Sequence, residues 1–310
     1  MSTSVHAPQR PEAQAGGILG GALGSALLFL IPFLGLASGF PLIVQRLKRG
    51  LGSAILAAIL AAALLATVAR RPYQVLVFLA ILVAPSLLMA EALARGRGLV
   101  RGCGWAFGLL LAELALALVF IGPPLAQAWF YEPLDLMSSP RFVEEMRANG
   151  LPQQSVDEWT EQVRSTRKMI ETVYPATFVI LAGLFVLSNA ALLRTYLARR
   201  DPGWLDGGEF ESIRWPLGLV VAFVAAGLSV LLPGLRPVAY NVLLIAAFFF
   251  FLQGFAVVIF YAHRLAGPRF LRPVVVVLVL AWAPQLLAIL GLFDSFFDFR
   301  KWAEPPRAEA

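Results

Sequence analysis

Residues 50–69 read GLGSAILAAILAAALLATVA, a run without one charged side chain, and Arg70-Arg71-Pro72 closes it. A helix of about 20 residues rises about 30 Å, the thickness of a bilayer's hydrocarbon core. Similar apolar stretches recur along the chain, and spans are expected at 17–37, 50–69, 73–93, 100–121, 170–197, 215–233, 237–262 and 271–293. Between residues 17 and 293 the only long polar interval is 122–169. Hydrophobic residues make up 59% of the chain, charged residues 14%, and the mean hydropathy is +0.76. A soluble protein of 310 residues has too little interior to hide that much apolar surface. The fold class is therefore all-α: a polytopic membrane helical bundle, about eight transmembrane helices with one external helical insertion.

The expected organisation is a disordered polar tail over 1–16, spans one to four within 17–121, a partly helical extramembrane insertion over 122–169, spans five to eight within 170–293, and an interfacial and polar C-terminal tail over 294–310. The first apolar run is too long and continuous for a cleaved signal peptide, so it is expected to remain as the first span. Ser38-Gly39-Phe40-Pro41 breaks or bends it, and a short continuation ends at Arg46, Lys48 and Arg49. A hairpin folded within 17–48 is the alternative, and it moves the N-terminus to the other side.

In the insertion, Ser139-Pro140 is a helix start and Asn149-Gly150 a stop. Ser155 and Glu158 have the spacing of a capping box. Trp159, Val163, Thr166 and Ile170 recur at helical spacing, so this amphipathic helix is expected to run into span five, with a bend at Pro175.

The net charge of +6 does not mark a nucleic-acid binder, because the basic residues are dispersed among loops between spans. Loops near 46–49, 95–101, 194–214 and 263–272 carry 13 of them against 7 in the short segments of the other side, which makes the first set cytoplasmic. The insertion then lies outside. Arginine outnumbers lysine 22 to 3, and with so many Ala, Gly and Leu this resembles coding bias in a GC-rich bacterial genome. The expected location is the bacterial inner membrane, with the lipid bilayer and other membrane subunits as partners.

One cysteine, Cys103, and two histidines, His6 and His263, leave no material for a disulfide or a Cys/His metal cluster. No cofactor, metal or catalytic residue is expected. Glu113, in the middle of span four, is an ionisable group at membrane depth and so a candidate substrate or proton site. Asn189, Asn241, Gln253 and Gln285 are the polar amides of later spans, and they join Glu113 as candidate substrate-binding residues if they converge on one cavity. The alternative for each is a hydrogen bond between helices. Gly16, Gly20 and Gly24 repeat small-xxx-small spacing and are a candidate docking face, and Gly17, Gly21 and Ser25 repeat it one residue along. Asp294 and Asp298, four residues apart and so on one helical face, with Arg300 and Trp302 among Phe293, Phe296, Phe297 and Phe299, read as an interfacial anchor with its charges in water.

The second half resembles the YybS-like family of uncharacterised bacterial multi-pass membrane proteins. The resemblance rests on Asn241-Val242-Leu243-Leu244, Phe251-Leu252-Gln253-Gly254-Phe255-Ala256-Val257 and the stretch Leu290-Gly291-Leu292-Phe293-Asp294 through Arg300. Tyr174-Pro175 with Asn189, and Phe210-Glu211 with Arg214 and Pro216, support it. That family is distantly similar to the substrate-capturing subunits of energy-coupling-factor vitamin transporters, small helical bundles whose first helix docks a partner through small residues. The resemblance implies such a face within 16–25, although this chain has more spans and the large insertion. The expected function is small-molecule transport or substrate binding in the membrane. A non-transporting scaffold acting through protein contacts is the alternative.

Overall fold

The computed structural model describes residues 11–31, 34–68, 73–120, 131–200, 210–264 and 283–303, with 274, 278 and 279; the side chains of 11–15, 73, 74, 302 and 303 are outside the description. Among these residues there is no strand. The helices are α1 (Pro11–Leu30), α2 (Phe40–Arg49), α3 (Leu51–Val68), α4 (Tyr73–Val77), α5 (Ala84–Ala94), α6 (Leu99–Phe120), α7 (Glu132–Met137), α8 (Pro140–Ala148), α9 (Gln153–Arg200), α10 (Leu217–Ser229), α11 (Arg236–Arg264) and α12 (Pro284–Phe297). Helices containing Leu51–Val68, Val75–Ala94, Leu99–Phe120, Gln153–Arg200 and Pro233–Arg264 are long and apolar enough to cross a membrane. Three further apolar helices, Gly16–Leu30, Leu217–Ser229 and Pro284–Phe297, are shorter. Within the described residues, five of the expected spans thus meet helices of crossing length, and part of the eighth, 271–293, lies outside them.

The chain forms two compact units, one from 1–121 with 181–207 and one from 122–180 with 208–310. In the first, α1 begins at Pro11, earlier than the boundary expected at 16. The structure corrects the short continuation of span one to a fold-back. Gly17 lies under the Arg49 guanidinium, Gly21 beside Gln45, Gly24 beside Pro41, and Ser25 bonds the Ser38 carbonyl. As one number rises the other falls, so α2 runs antiparallel to α1. The N-terminal end of α1 therefore shares a side with Arg46, Lys48 and Arg49. At 10 residues, α2 reaches about 15 Å, half the hydrocarbon core.

Span three contains a π-helical turn, Phe78–Val83, between α4 and α5, with Ala84 N–H donating to the Leu79 carbonyl. Pro85 follows at once and has no N–H to give, so the wider turn absorbs the misfit. Arg46 reaches across to Glu91 Oε2 at 2.7 Å, and Arg95 takes Oε1 at 2.9 Å.

In the second unit, Ser139 caps α8 by accepting from Phe142 N–H, with Pro140 at the first position, and Gly150 ends the turn at φ 80°. The expected capping box at Ser155 is displaced: α9 already starts at Gln153, and Val156 N–H bonds the Pro152 carbonyl. Trp159 Nε1 donates to the Met137 carbonyl at 3.2 Å and Arg167 pairs with Asp135, which folds α7 and α8 onto α9. The amphipathic helix and span five are one helix with Pro175 inside it.

Helices α11 and α12 meet backbone to backbone. A Cβ on Gly254 would stand 1.9 Å from the Leu287 carbonyl oxygen, and one on Gly291 1.8 Å from that of Phe250. Only glycine permits that approach.

Candidate functional site

The first unit's most unusual feature is the interruption between α1 and α2. Residues 34–37 form a single 3-10 turn, held by Gly35 N–H to Ile31 and Ser38 N–H to Gly35. Backbone groups away from a regular helix in an apolar bundle need partners. Side chains supply them. Ser25 Oγ donates to the Ser38 carbonyl at 2.7 Å, Ser188 Oγ to the Leu36 carbonyl at 2.6 Å, and Asn189 Nδ2 to the same Leu36 carbonyl at 2.7 Å. Ser25, Ser38, Ser86 and Asn189 are all essentially fully buried here. Among the described residues, two atoms here find no hydrogen-bond partner: Ser38 Oγ and Asn189 Oδ1. Gly39 packs closely against this cluster: a Cβ there would lie 2.1 Å from Ser86 Oγ, 3.0 Å from Asn189 Oδ1 and 3.0 Å from Phe185 Cζ, so only glycine fits.

The second unit contains a denser polar network where α11 and α12 come together. Gln253 Oε1 accepts from Trp215 N–H at 3.0 Å, and its Nε2 donates to Asp294 Oδ2 at 2.9 Å. Asp294 also accepts from Phe299 N–H at 3.1 Å and pairs with Arg300 Nη2 at 3.2 Å. Arg300 gives a further bond to the Ile213 carbonyl at 3.0 Å, while its Nε and Nη1 are buried without partners. Asp298, left-handed at φ 47°, caps α12 and pairs with Arg214 and with Lys301 at 3.0 Å. Burial opposes ionisation of the Asp298 carboxyl, but the hydrogen bonds from Lys301 and Arg214 outweigh it and hold the group below the ordinary carboxylate range.

This network corrects the anchor in part. Asp298 and Lys301 fit an interfacial position, but Asp294 and Arg300 are buried against each other, their side chains 0% and 4% exposed. The expected shared face fails because the chain leaves helical geometry at Asp298, so Asp294 alone turns inward. The side chain of Trp302 lies outside the described residues.

Each remaining candidate has its own surroundings within its unit. Asn241 accepts from Ala176 N–H at 2.8 Å and donates to the carbonyls of Thr172 and Pro237, each at 2.7 Å, so both ends of its amide are spent on helix backbone. Gln253 belongs to the second unit's network, Asn189 to the hairpin break, and Gln285 is exposed at the start of α12. Glu113 is half-buried on α6, its Oε2 buried without a hydrogen-bond partner. Among the described residues a Cβ on Gly16 or Gly20 would meet nothing within 4 Å and one on Gly24 only Pro41, whereas the parallel stripe of Gly17, Gly21 and Ser25 packs inside the hairpin. Sequence reasoning missed Ser38, Ser86 and Gly39 as one cluster, and missed Glu91 as the partner of two arginines. The proline-flanked break at 38–41 was the available signal for the first, and a carboxylate within span three for the second.

The fold and composition define an integral membrane protein built of helices. The chain belongs to the family of predicted membrane proteins DUF2232, whose model matches residues 22–295. It is also similar to a Bacillus subtilis (strain 168) protein, "Uncharacterized protein YybS", at 24% identity over 139 residues, 43% of this chain and 45% of that protein. The match spans less than half the length of that relative. No solved structure matches the chain.

Proposed function

We propose that this protein is a small-molecule transporter, or the substrate-binding membrane subunit of one, in the bacterial inner membrane. The observation that supports the reading best is the interrupted hairpin of α1 and α2, with Ser38 and Asn189 each holding an unpaired buried oxygen at the break. Irregular backbone at membrane depth is costly and is tolerated where it is packed in protein or lines a cavity. Discontinuous helices of this kind form solute sites in secondary transporters, where helix ends and unwound backbone face the solute. In this reading Asn189, Ser38 and Ser86 contact a small polar solute. Asn241 and Gln253 act as internal struts. No catalytic step is assigned to the chain.

A second reading, a scaffold or assembly protein, draws on the open face of α1. Among the described residues a Cβ on Gly16 or Gly20 would meet nothing there, and Leu19, Leu23 and Leu27 are exposed beside them, a surface that a partner helix in the membrane could cover.

Affinity purification from native membranes in mild detergent, with partners identified by mass spectrometry, separates these readings. Recovery of the chain alone, or with a stoichiometric ATPase pair and a transmembrane coupling subunit, is the outcome expected of a carrier or a transporter subunit. Stoichiometric recovery with envelope-assembly proteins instead overturns the transport reading.

A further inference from the structure

Helices α2, α5 and α9 bring their basic C-terminal ends together in the first unit. There Glu91 is spent on Arg46 and Arg95, one at each oxygen. Lys48 and Arg200 find no carboxylate among the described residues and meet an aromatic ring instead. Lys48 Nζ and Arg200 Cζ each lie 5.3 Å from the centroid of Tyr196. A ring attracts a cation through its quadrupole, but two cations gathered at one ring repel each other. Both side chains are exposed, so an anion from outside can reach them and relieve that repulsion. Tyr196 in turn packs edge-on against Phe40, their centroids 6.1 Å apart.

Phe40 lines an open groove between α1 and α2, with a volume of about 270 Å³. Its α1 wall is bare backbone at Gly20 and Gly21, and its α2 wall is apolar at Phe40, Pro41 and Val44. Lys48 and Arg49 stand at its end. Because Gly24 lies beside Pro41 and Gly17 beside Arg49, the groove runs from apolar depth near the helical break to positive charge where α2 stops. Small-ligand pockets measure about 300–1,000 Å³, so this groove takes part of a molecule rather than a whole large one. A soluble anion uses only its charged end, and a zwitterionic lipid brings a cation of its own to Lys48 and Arg200. A lipid with net negative charge matches both the walls and the end, and basic pockets between membrane helices bind such headgroups. We propose that the α1–α2 groove binds one anionic phospholipid, its phosphate held by Lys48 and Arg200 beside Tyr196 and one acyl chain lying between Gly20 and Val44. The proposal does not depend on the transport reading.

Binding is read from the thermal unfolding midpoint of the full-length protein in neutral detergent, titrated with phosphatidylglycerol or, as the zwitterionic control, phosphatidylcholine. A ligand bound only by the folded state raises the midpoint saturably, here by roughly 3–6 °C at about ten times its Kd. The expected result is such a rise with phosphatidylglycerol alone. Lys48→Gln and Arg200→Gln should each weaken half-saturation about fivefold. Gly20→Leu, whose Cβ would meet nothing among the described residues, should block the acyl chain while leaving both charges in place. Arg101→Gln removes an exposed arginine from the start of α6, outside the groove, and should leave binding unchanged. An equal rise with phosphatidylcholine reports a general effect of lipid on the fold and overturns the proposal. Equal weakening by Arg101→Gln makes the attraction diffuse and overturns it too. A full rise with inorganic phosphate, or wild-type lipid binding by Gly20→Leu, takes the chain out of the groove, and the lipid assignment falls. If Gly20→Leu fails to fold, the charge variants still decide. Purification with assembly proteins leaves an observed phosphatidylglycerol effect standing, so failure of the transport reading and failure of the lipid site are told apart.

Discussion

Asn241 bridges Thr172 and Ala176, a donor and an acceptor one turn apart on α9, with its side-chain amide: Oδ1 takes the Ala176 N–H at 2.8 Å and Nδ2 gives to the Thr172 carbonyl at 2.7 Å. Pro175 sits between them, with no N–H of its own to give to the turn before. The carboxamide thus has the shape and polarity of one peptide group inserted beside the weakest point of the helix. Side-chain hydrogen bonds between membrane helices average about 0.6 kcal/mol and reach about 1.7. Asn241→Leu is expected to cost about 1–2 kcal/mol in detergent unfolding, and more than Asn241→Leu made together with Pro175→Ala, because alanine restores the N–H that proline lacks. Equal losses for the single and double variants would sink this coupling.

The contact of Gly254 with Gly291 leaves no room for a methyl group on either helix, because each Cβ would land within 2 Å of a carbonyl oxygen. Gly254→Ala and Gly291→Ala should each destabilise by about 2–3 kcal/mol, since helices must separate to admit the atom. Gly108→Ala, in α6 with open space around it, should be neutral or stabilising by up to about 1 kcal/mol from helix propensity. Thermal unfolding of the three variants side by side checks the contrast.

Asp294 and Asp298 differ in what they face, and this has a measurable consequence. Removing the partner of a buried charge costs about 3–5 kcal/mol, whereas an exposed pair contributes about 0–1 kcal/mol. Asp294→Asn strands Arg300 and is expected to lower stability several-fold more than Asp298→Asn does. The acid limb isolates Asp298. Its folded carboxyl titrates below the unfolded value of 3.8, so its contribution is present in full above about pH 5 and is lost as pH falls through that value and below. Stability of the wild type should decline in that window, with a shallower decline in Asp298→Asn. Matching slopes would remove the ion pairs from the acid response.

Glu113 has a buried oxygen with no hydrogen-bond partner among the described residues, within an apolar helix, and such a group is a cost unless it works. Glu113→Leu should therefore raise the unfolding midpoint, with Glu113→Gln closer to wild type. A fall in stability for the leucine variant would reveal a stabilising partner for the carboxyl.

The spans were legible because crossing length is a property of composition alone, and 50–69 needs no tertiary information to be recognised. The hairpin was not. A chain that bends at 38–41 and one that folds back there have the same local sequence, and the choice is made by Gly17, Gly21 and Gly24 meeting Arg49, Gln45 and Pro41. Four-residue glycine spacing likewise announces a stripe on α1 without saying which of two adjacent stripes is inside. Gly254 and Gly291 gave no spacing signal, being single glycines on separate helices, yet they bring α11 and α12 backbone to backbone. Asp294 and Asp298 misled because i,i+4 geometry presumes that the helix continues, and it ends at Phe297.

The most direct test of the solute-site reading is the mass spectrometry of small molecules released on denaturing the purified full-length protein, wild type against Asn189→Leu. The account predicts at least one small polar compound released from the wild type in near-equimolar amount and absent from the variant when both fold and insert equally. Identical small-molecule profiles from the two proteins would contradict it and leave the hairpin break as a structural joint.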